Sequence, residues 1–298
     1  MSMPTIDLPQ DRPLLTDGGM GEAISLRGLH QKGSPFWSGR ALIETPEAVE
    51  ELHRAFIAAG ADLIITNTYG VVRSFMRDVG IEDRFEDLNR NAAELANKAR
   101  DAQGRDVLIA GSLPPLSGSY TPDAVEPEER LIALYTEQAA LLAPHVDLFI
   151  AETLTTVQET RAAAIGAAAT GKPVWIGWSL HENSDGCLKG GATVAEAAAS
   201  VADQPVSVFL ANCCSPEAVT RGLPALKALG TPTGGYANTF HPIDPGQKKI
   251  RHRHDFSVEA YVANVKDWVD GGARIVGGCC GTLPEHIARL RGLIDEAV

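Results

Sequence analysis

The chain has 298 residues, enough for two average domains or one barrel-sized unit. Hydrophobic residues make up 44% and charged residues 21%, which is ordinary for a globular enzyme, while a formal charge of -12 argues against binding a phosphate backbone. No run approaches the roughly 20 apolar residues of a membrane span, and residues 1–12 lack the apolar stretch of a secretory signal.

Short runs rich in Val and Ile recur, each followed by turn residues and a longer helical pattern. The first strand is predicted over 13–17 and leads into the glycine-rich turn Asp17-Gly18-Gly19-Met20-Gly21-Glu22. Thr45 is placed to cap a helix that begins at Pro46 and stops before Gly60, a Pro-start and Gly-stop pattern. Strand two is predicted over 63–69 with a helix over 82–102, strand three over 107–113 with a helix over 128–142, and strand four over 148–153 with a helix over 156–169. Strands five to eight fall at 174–180, 206–213, 235–238 and 274–279, followed by helices over 193–202, 216–229, 257–270 and 284–297. The seventh strand is the weakest, being short and without aliphatic residues. Eight such units suit a single α/β domain over 1–298, a closed (β/α)8 TIM barrel with its site at the carboxyl ends of the strands. An open doubly wound sheet would want a full G-x-G-x-x-G after strand one, and the turn there does not supply it.

Polar residues gather at those carboxyl ends: Asp17, Thr66, Asn67, Ser112, Glu152, Ser179, Asn212, Asn238 and two cysteine pairs, Cys213-Cys214 and Cys279-Cys280. Packing alone does not explain acids, amides and thiols at one end of strands that are otherwise apolar. Five cysteines, an odd and low number, do not suggest a disulfide framework, so a reducing cytoplasm with free thiols is expected. Three or four thiolates on a rigid rim would hold a zinc ion with one position open. Adjacent strand residues point to opposite faces, so Cys279 and Cys280 meet one ion only if the strand ends there, which Gly277, Gly278 and Gly281 permit. A vicinal disulfide is the alternative for that pair. Of Cys213 and Cys214 the first is favoured, and Cys187 reads as a plain loop thiol. Asp17 and Glu152 read either as buried acids satisfied by backbone N–H groups or as acceptors for the ammonium of a small amino acid. Trp37 either packs under a long loop, 34–38, or covers the barrel mouth. The basic cluster from Lys248 to His254 reads as a solvated loop.

At these residues the chain resembles the homocysteine S-methyltransferase family, zinc barrels that methylate homocysteine to methionine. The motifs are Leu15-Thr16-Asp17-Gly18-Gly19, Thr66-Asn67-Thr68-Tyr69, Ala151-Glu152-Thr153, Asn212-Cys213 and Gly277-Gly278-Cys279-Cys280-Gly281-Thr282, spread over nearly the whole chain. The resemblance implies that Cys213, Cys279 and Cys280 hold Zn2+, and that Asp17, Gly18, Thr66, Ser112 and Glu152 hold the amino-acid end of homocysteine. Phe36-Trp37-Ser38 and Ala237-Asn238-Thr239 are similar to members that use small onium donors, which places Trp37 and Asn238 beside the donor, although Thr239-Phe240-His241 departs from that pattern.

The expected activity is therefore methyl transfer from an onium donor to the homocysteine thiolate, with S-methylmethionine first in order, S-adenosylmethionine next and betaine third. The expected partners are these small molecules, with no nucleic acid and no membrane; a homo-oligomer stays open. The rival readings are a closed structural zinc site, marked by a fourth protein ligand such as Cys214, and a thiol-redox protein, against which the absence of C-x-x-C counts.

Overall fold

The structure is a computed structural model that describes residues 4–28, 36–247, 250–253 and 256–296. Eight strands form in chain order: β1 (Leu14–Leu15), β2 (Leu63–Ile65), β3 (Leu108–Leu113), β4 (Leu148–Leu154), β5 (Val174–Trp178), β6 (Val206–Asn212), β7 (Thr233–Ala237) and β8 (Ile275–Gly278). All neighbouring pairs are parallel, in the order β1-β8-β7-β6-β5-β4-β3-β2, and a parallel bridge from Thr16 to Leu63 closes the ring. Helices run between the strands on the outside, as a (β/α)8 barrel requires.

Strand alternation divides the apolar residues into two layers. Leu14, Leu63, Leu148, Ile150, Trp175, Leu210 and Ile275 fill the barrel interior. Their neighbours Leu15, Ile64, Phe149, Ile176, Phe209 and Val276 face the helices. Ile6 and Leu8 pack against the interior cluster ahead of the first strand. The same alternation turns Ser112, Glu152, Asn212 and Tyr236 inward above the apolar plug, because each stands an even number of residues along its strand from an interior position. Gly177 belongs to this layer too: a Cβ there would meet Asn212 Oδ1 at 2.7 Å and the Tyr236 hydroxyl at 3.2 Å.

The predicted strands all form, most of them shorter than expected, and β7 starts at Thr233, two residues early. Ladder pairing stops where each chain turns toward its helix, so Asp17, Thr66, Ser179, Asn238 and Cys279 lie just beyond their strands, while Ser112, Glu152 and Asn212 stay within theirs. Helices over Met20–Leu26, Ala41–Glu44 and Arg73–Asp78 were not predicted; at two turns or less, no apolar period registers. Pro46 does start a helix that ends at Ala58, but Thr45 does not cap it: its hydroxyl is buried without a hydrogen-bond partner. Ser34, Pro35, Lys248, Lys249, His254 and Ala297 lie outside the described residues.

Gly281 takes φ +84°, and a Cβ there would collide with the side chain of Thr239. Gly281→Ala is expected to destabilise the protein by about 1–3 kcal/mol, checked by urea unfolding against the wild type.

Candidate functional site

Strand order brings the cysteines together. β6 and β8 flank β7, and each ladder delivers a cysteine at its end: Cys213 N–H donates to Tyr236 O at 3.1 Å, and Cys279 N–H to Ala237 O at 2.8 Å. Chains two strands apart lie about 9–10 Å from one another, so the sulfurs meet only because both segments turn inward over β7. Cys213 makes its turn in the left-handed region, with φ +49°. Cys279 and Cys280 stand past the end of β8, in a turn closed by Thr282 N–H to Cys279 O at 3.1 Å, and so escape the two-faced alternation of a strand.

Cys279 Sγ lies 2.7 Å and Cys280 Sγ 3.8 Å from Cys213 Sγ, and all three sulfurs fall within 4.8 Å of one another. All are free thiols, so the vicinal disulfide is not formed. A tetrahedron with metal–sulfur bonds near 2.3 Å has edges of about 3.8 Å, the scale of this cluster. Three soft donors suit zinc, and among the described residues no fourth Cys, His, Asp or Glu joins them. Cys214 sits in the outer core, where burial pushes its thiol up to about 12. Cys187 is half-buried in the loop after β5.

The thiols open on a cavity of about 820 Å³ that is also lined by Asp17, Gly18, Thr66, Glu152 and Trp37. A family profile described as homocysteine S-methyltransferase matches residues 14–294. The homocysteine S-methyltransferase of Escherichia coli (strain K12) is 31% identical over 296 residues, covering 93% of this chain and 94% of that protein. The chain belongs to the homocysteine S-methyltransferase family. Its fold superimposes on the metallated form of the homocysteine methyltransferase MmuM from Escherichia coli with a TM-score of 0.81 and 28% identity, covering 95% of this chain and 97% of that one. The oxidized form of MmuM gives 0.82, with 95% and 96% covered.

In this member of the family, the inward layer of the barrel builds the floor of the cavity. Ser112 Oγ donates to Glu152 Oε1 at 2.5 Å, and the Tyr236 hydroxyl donates to Oε2 at 3.2 Å. Burial nevertheless pushes the Glu152 carboxyl up to about 7. Asp17 closes the β1–β2 seam by accepting from Ile65 N–H at 2.9 Å; burial, and then the charge of Glu152, raise its carboxyl well above the usual range. Thr66 Oγ1 accepts from Ser112 N–H at 3.1 Å. A Cβ at Gly18 would press on Thr282 O and the Phe56 ring, both at 2.9 Å. The indole of Trp37 packs where a Cβ on Gly21 would stand, so this residue lies along the cavity wall.

Two expected residues stand behind the wall. Ser112 reaches the cavity through Glu152. Asn238 is buried, donating from Nδ2 to Cys213 O at 2.9 Å and accepting from Phe240 N–H at 3.0 Å. Tyr236 and Tyr120 line the cavity and were not singled out from sequence; Tyr69 and Phe240, which line it too, were named there only within the strand-two motif and the departing segment after strand seven. An inward tyrosine among the small residues of strand seven was the available signal for Tyr236; Tyr120 and Phe240 lie in loops with no pattern to read.

The three thiols differ in acidity. The close Cys279 and Cys280 thiols and the Tyr120 hydroxyl hold the Cys213 thiol well below the ordinary value, and hydrogen bonding with Cys213 raises the other two. Burial keeps Tyr120 protonated and a donor.

Glu152 yields a pH prediction. Between its ordinary value of 4.5 and about 7 the folded protein holds a proton that the unfolded chain releases, so stability falls as pH rises through that window. Glu152→Gln removes this dependence. Urea unfolding should show the wild type losing roughly 3 kcal/mol relative to Glu152→Gln between pH 4.5 and pH 8; parallel pH profiles would count against the assignment.

Proposed function

We propose that the cavity binds homocysteine with its sulfur at the Cys213, Cys279 and Cys280 cluster and its ammonium at Glu152 and Asp17, and that the methyl group comes from a small onium compound. The activity in this reading is zinc-dependent homocysteine S-methyltransfer giving methionine. The observation that carries it is the convergence of three thiols from β6 and β8 on a cavity whose floor holds two buried carboxylates.

Zinc bound by the three thiolates supplies the positive charge that lets a substrate thiol lose its proton near neutral pH. The residues of the chain do the rest. Glu152, held by Ser112 and Tyr236, presents a carboxylate that an ammonium ion converts from a buried liability into a paired charge. Asp17 faces the same space from the β1–β2 seam, with Gly18 and Thr66 completing that wall. Asn238 acts through the Cys213 carbonyl and not on substrate. Such fixed contacts hold the two reacting groups in line, and no side chain is needed as a general base because a thiol bound to zinc would already have released its proton to solvent.

The donor is read from the charge of the wall. Asp17, Glu22, Asp78 and Glu152 line the cavity, and among the described residues no Lys or Arg does. That balance favours a cationic donor, and the aromatic faces of Trp37 and Tyr69 suit an onium group. S-methylmethionine is first in order, then S-adenosylmethionine, then betaine. This reading takes residues 1–298 as one barrel domain working on small molecules in the cytoplasm, with no nucleic-acid or membrane partner. Among the described residues no helix is long and apolar enough to cross a membrane.

Zinc-loaded protein with homocysteine and each donor, scored by methionine formed, tests the reading, and no methionine from any onium donor would overturn it. Replacing Cys213, Cys279 or Cys280 by Ala is expected to abolish zinc content and methyl transfer together. Glu152→Ala should raise the homocysteine KM about 10-fold or more, the loss expected for one charged hydrogen bond, and an unchanged KM would remove Glu152 from ammonium binding. Addition of homocysteine should change the X-ray absorption spectrum of the bound zinc; a spectrum insensitive to thiols would mark a closed, structural site.

A further inference from the structure

Cys213 is held more heavily than the two thiols opposite it. Its carbonyl accepts from Asn238 Nδ2 at 2.9 Å and from Ser179 Oγ at 3.4 Å. The Tyr120 hydroxyl stands 3.1 Å from that carbonyl and 3.2 Å from Cys213 Sγ. With Asn238 and Ser179 also donating to the carbonyl, the single phenolic proton is shared between that oxygen and the sulfur. Both ends of this contact are in the left-handed region, Tyr120 with φ +61° and Cys213 with φ +49°. Neither is glycine, and such a conformation persists only where surrounding contacts over-determine it.

Those contacts are present. Lys189 and Glu182 form an ion pair at 3.0 Å with side chains only 0% and 2% exposed. The Lys189 ammonium lies 5.5 Å from the centre of the Tyr120 ring and donates to Ile243 O at 2.5 Å. Glu182 accepts from Ser215 Oγ at 2.5 Å, two residues after Cys213. Gly246 N–H donates to Tyr120 O at 2.7 Å. One buried pair therefore ties the loops after β5, β6 and β7 to the Tyr120 ring, and every group in it has a partner.

We propose that Tyr120 is a positioning residue for the metal centre: its O–H···S hydrogen bond fixes the Cys213 sulfur toward the other two thiols and withdraws electron density from it. The proposal rests on the reading of the three thiols as metal ligands. Outer hydrogen bonds to metal ligands commonly contribute 10- to 100-fold in metal affinity. This one also acts on the sulfur itself, so it should be visible in the spectrum of a bound metal.

The test uses the full-length protein with Tyr120→Phe, which keeps the ring beside Lys189, and with 3-fluorotyrosine at position 120, a slightly stronger donor of the same shape. Zinc affinity is read by competition with a chromophoric chelator, and the sulfur-to-metal charge-transfer band is read on the cobalt-loaded protein. Tyr120→Phe should raise the zinc dissociation constant about 10-fold or more and move the band to lower energy, because a thiolate relieved of a hydrogen bond is easier to oxidise. The fluorinated protein should move the band the opposite way. A band that stays in place across Phe, Tyr and fluorotyrosine overturns the proposal, whatever the activity does. Neither readout involves methyl transfer. Wild-type protein that binds zinc but leaves homocysteine unmethylated would therefore overturn the functional reading and leave this one standing.

Discussion

The whole site depends on two chain segments folding over the end of β7. Ladder register sets where this happens: Asn212 pairs with Tyr236, and Ala237 with Gly278, so Cys213 and Cys279 emerge on either side of one strand. Bringing their sulfurs together then needs room and a sharp turn on each side. Room comes from small residues, since a Cβ on Gly234 would run into the Ile275 backbone and one on Gly277 into the Thr16 side chain. The turns come from a left-handed Cys213 and a left-handed Gly281. Larger residues at these glycines would spread the strands and separate the thiols before any chemistry was touched.

Conformational strain and buried charge concentrate at the same rim. Among the described residues the non-glycine positions with positive φ are Tyr120, Thr153 and Cys213. Thr153 follows Glu152 and is gripped by Asn212, whose Oδ1 accepts from its N–H at 2.7 Å and whose Nδ2 donates to its hydroxyl at 2.9 Å. A residue held this way cannot relax, so Glu152 stays aimed into the cavity. Its burial disfavours the charged form, and Ser112 and Tyr236 only partly offset that. Such a carboxyl costs the barrel stability once it ionises, a penalty that pairing with a cation would remove.

Much of this was legible beforehand, for identifiable reasons. Helices were expected to begin at Thr156 and Thr193, and the structure shows a capping box at each, with Glu159 and Glu196 reaching back to the cap. The polar ends of the strands were readable because a parallel strand buried on both faces is otherwise apolar, and Cys279-Cys280 stood out within a run of glycines. Thr45 misled because a suitable residue type before Pro46 says nothing about whether its hydroxyl can reach the helix. Asn238 looked like a cavity residue from its place after strand seven, yet its side chain turns to the Cys213 carbonyl, a choice made by the loop and not by the residue type.

By itself the sequence determined the barrel and the two cysteine pairs and carboxylates at its rim, since these follow from local periodicity and from which residue types end each strand, while the set of three ligands was what the family resemblance implied. Only the tertiary structure decided how Cys213, already favoured over Cys214, reaches the other two thiols, and that Tyr236 and Ser112 converge on Glu152. The same holds for Tyr120, which reaches a sulfur 93 positions further along the chain. Each of these is a contact between segments remote in the chain, and such contacts are set by strand register and loop closure, which leave no periodic trace in the residues that make them.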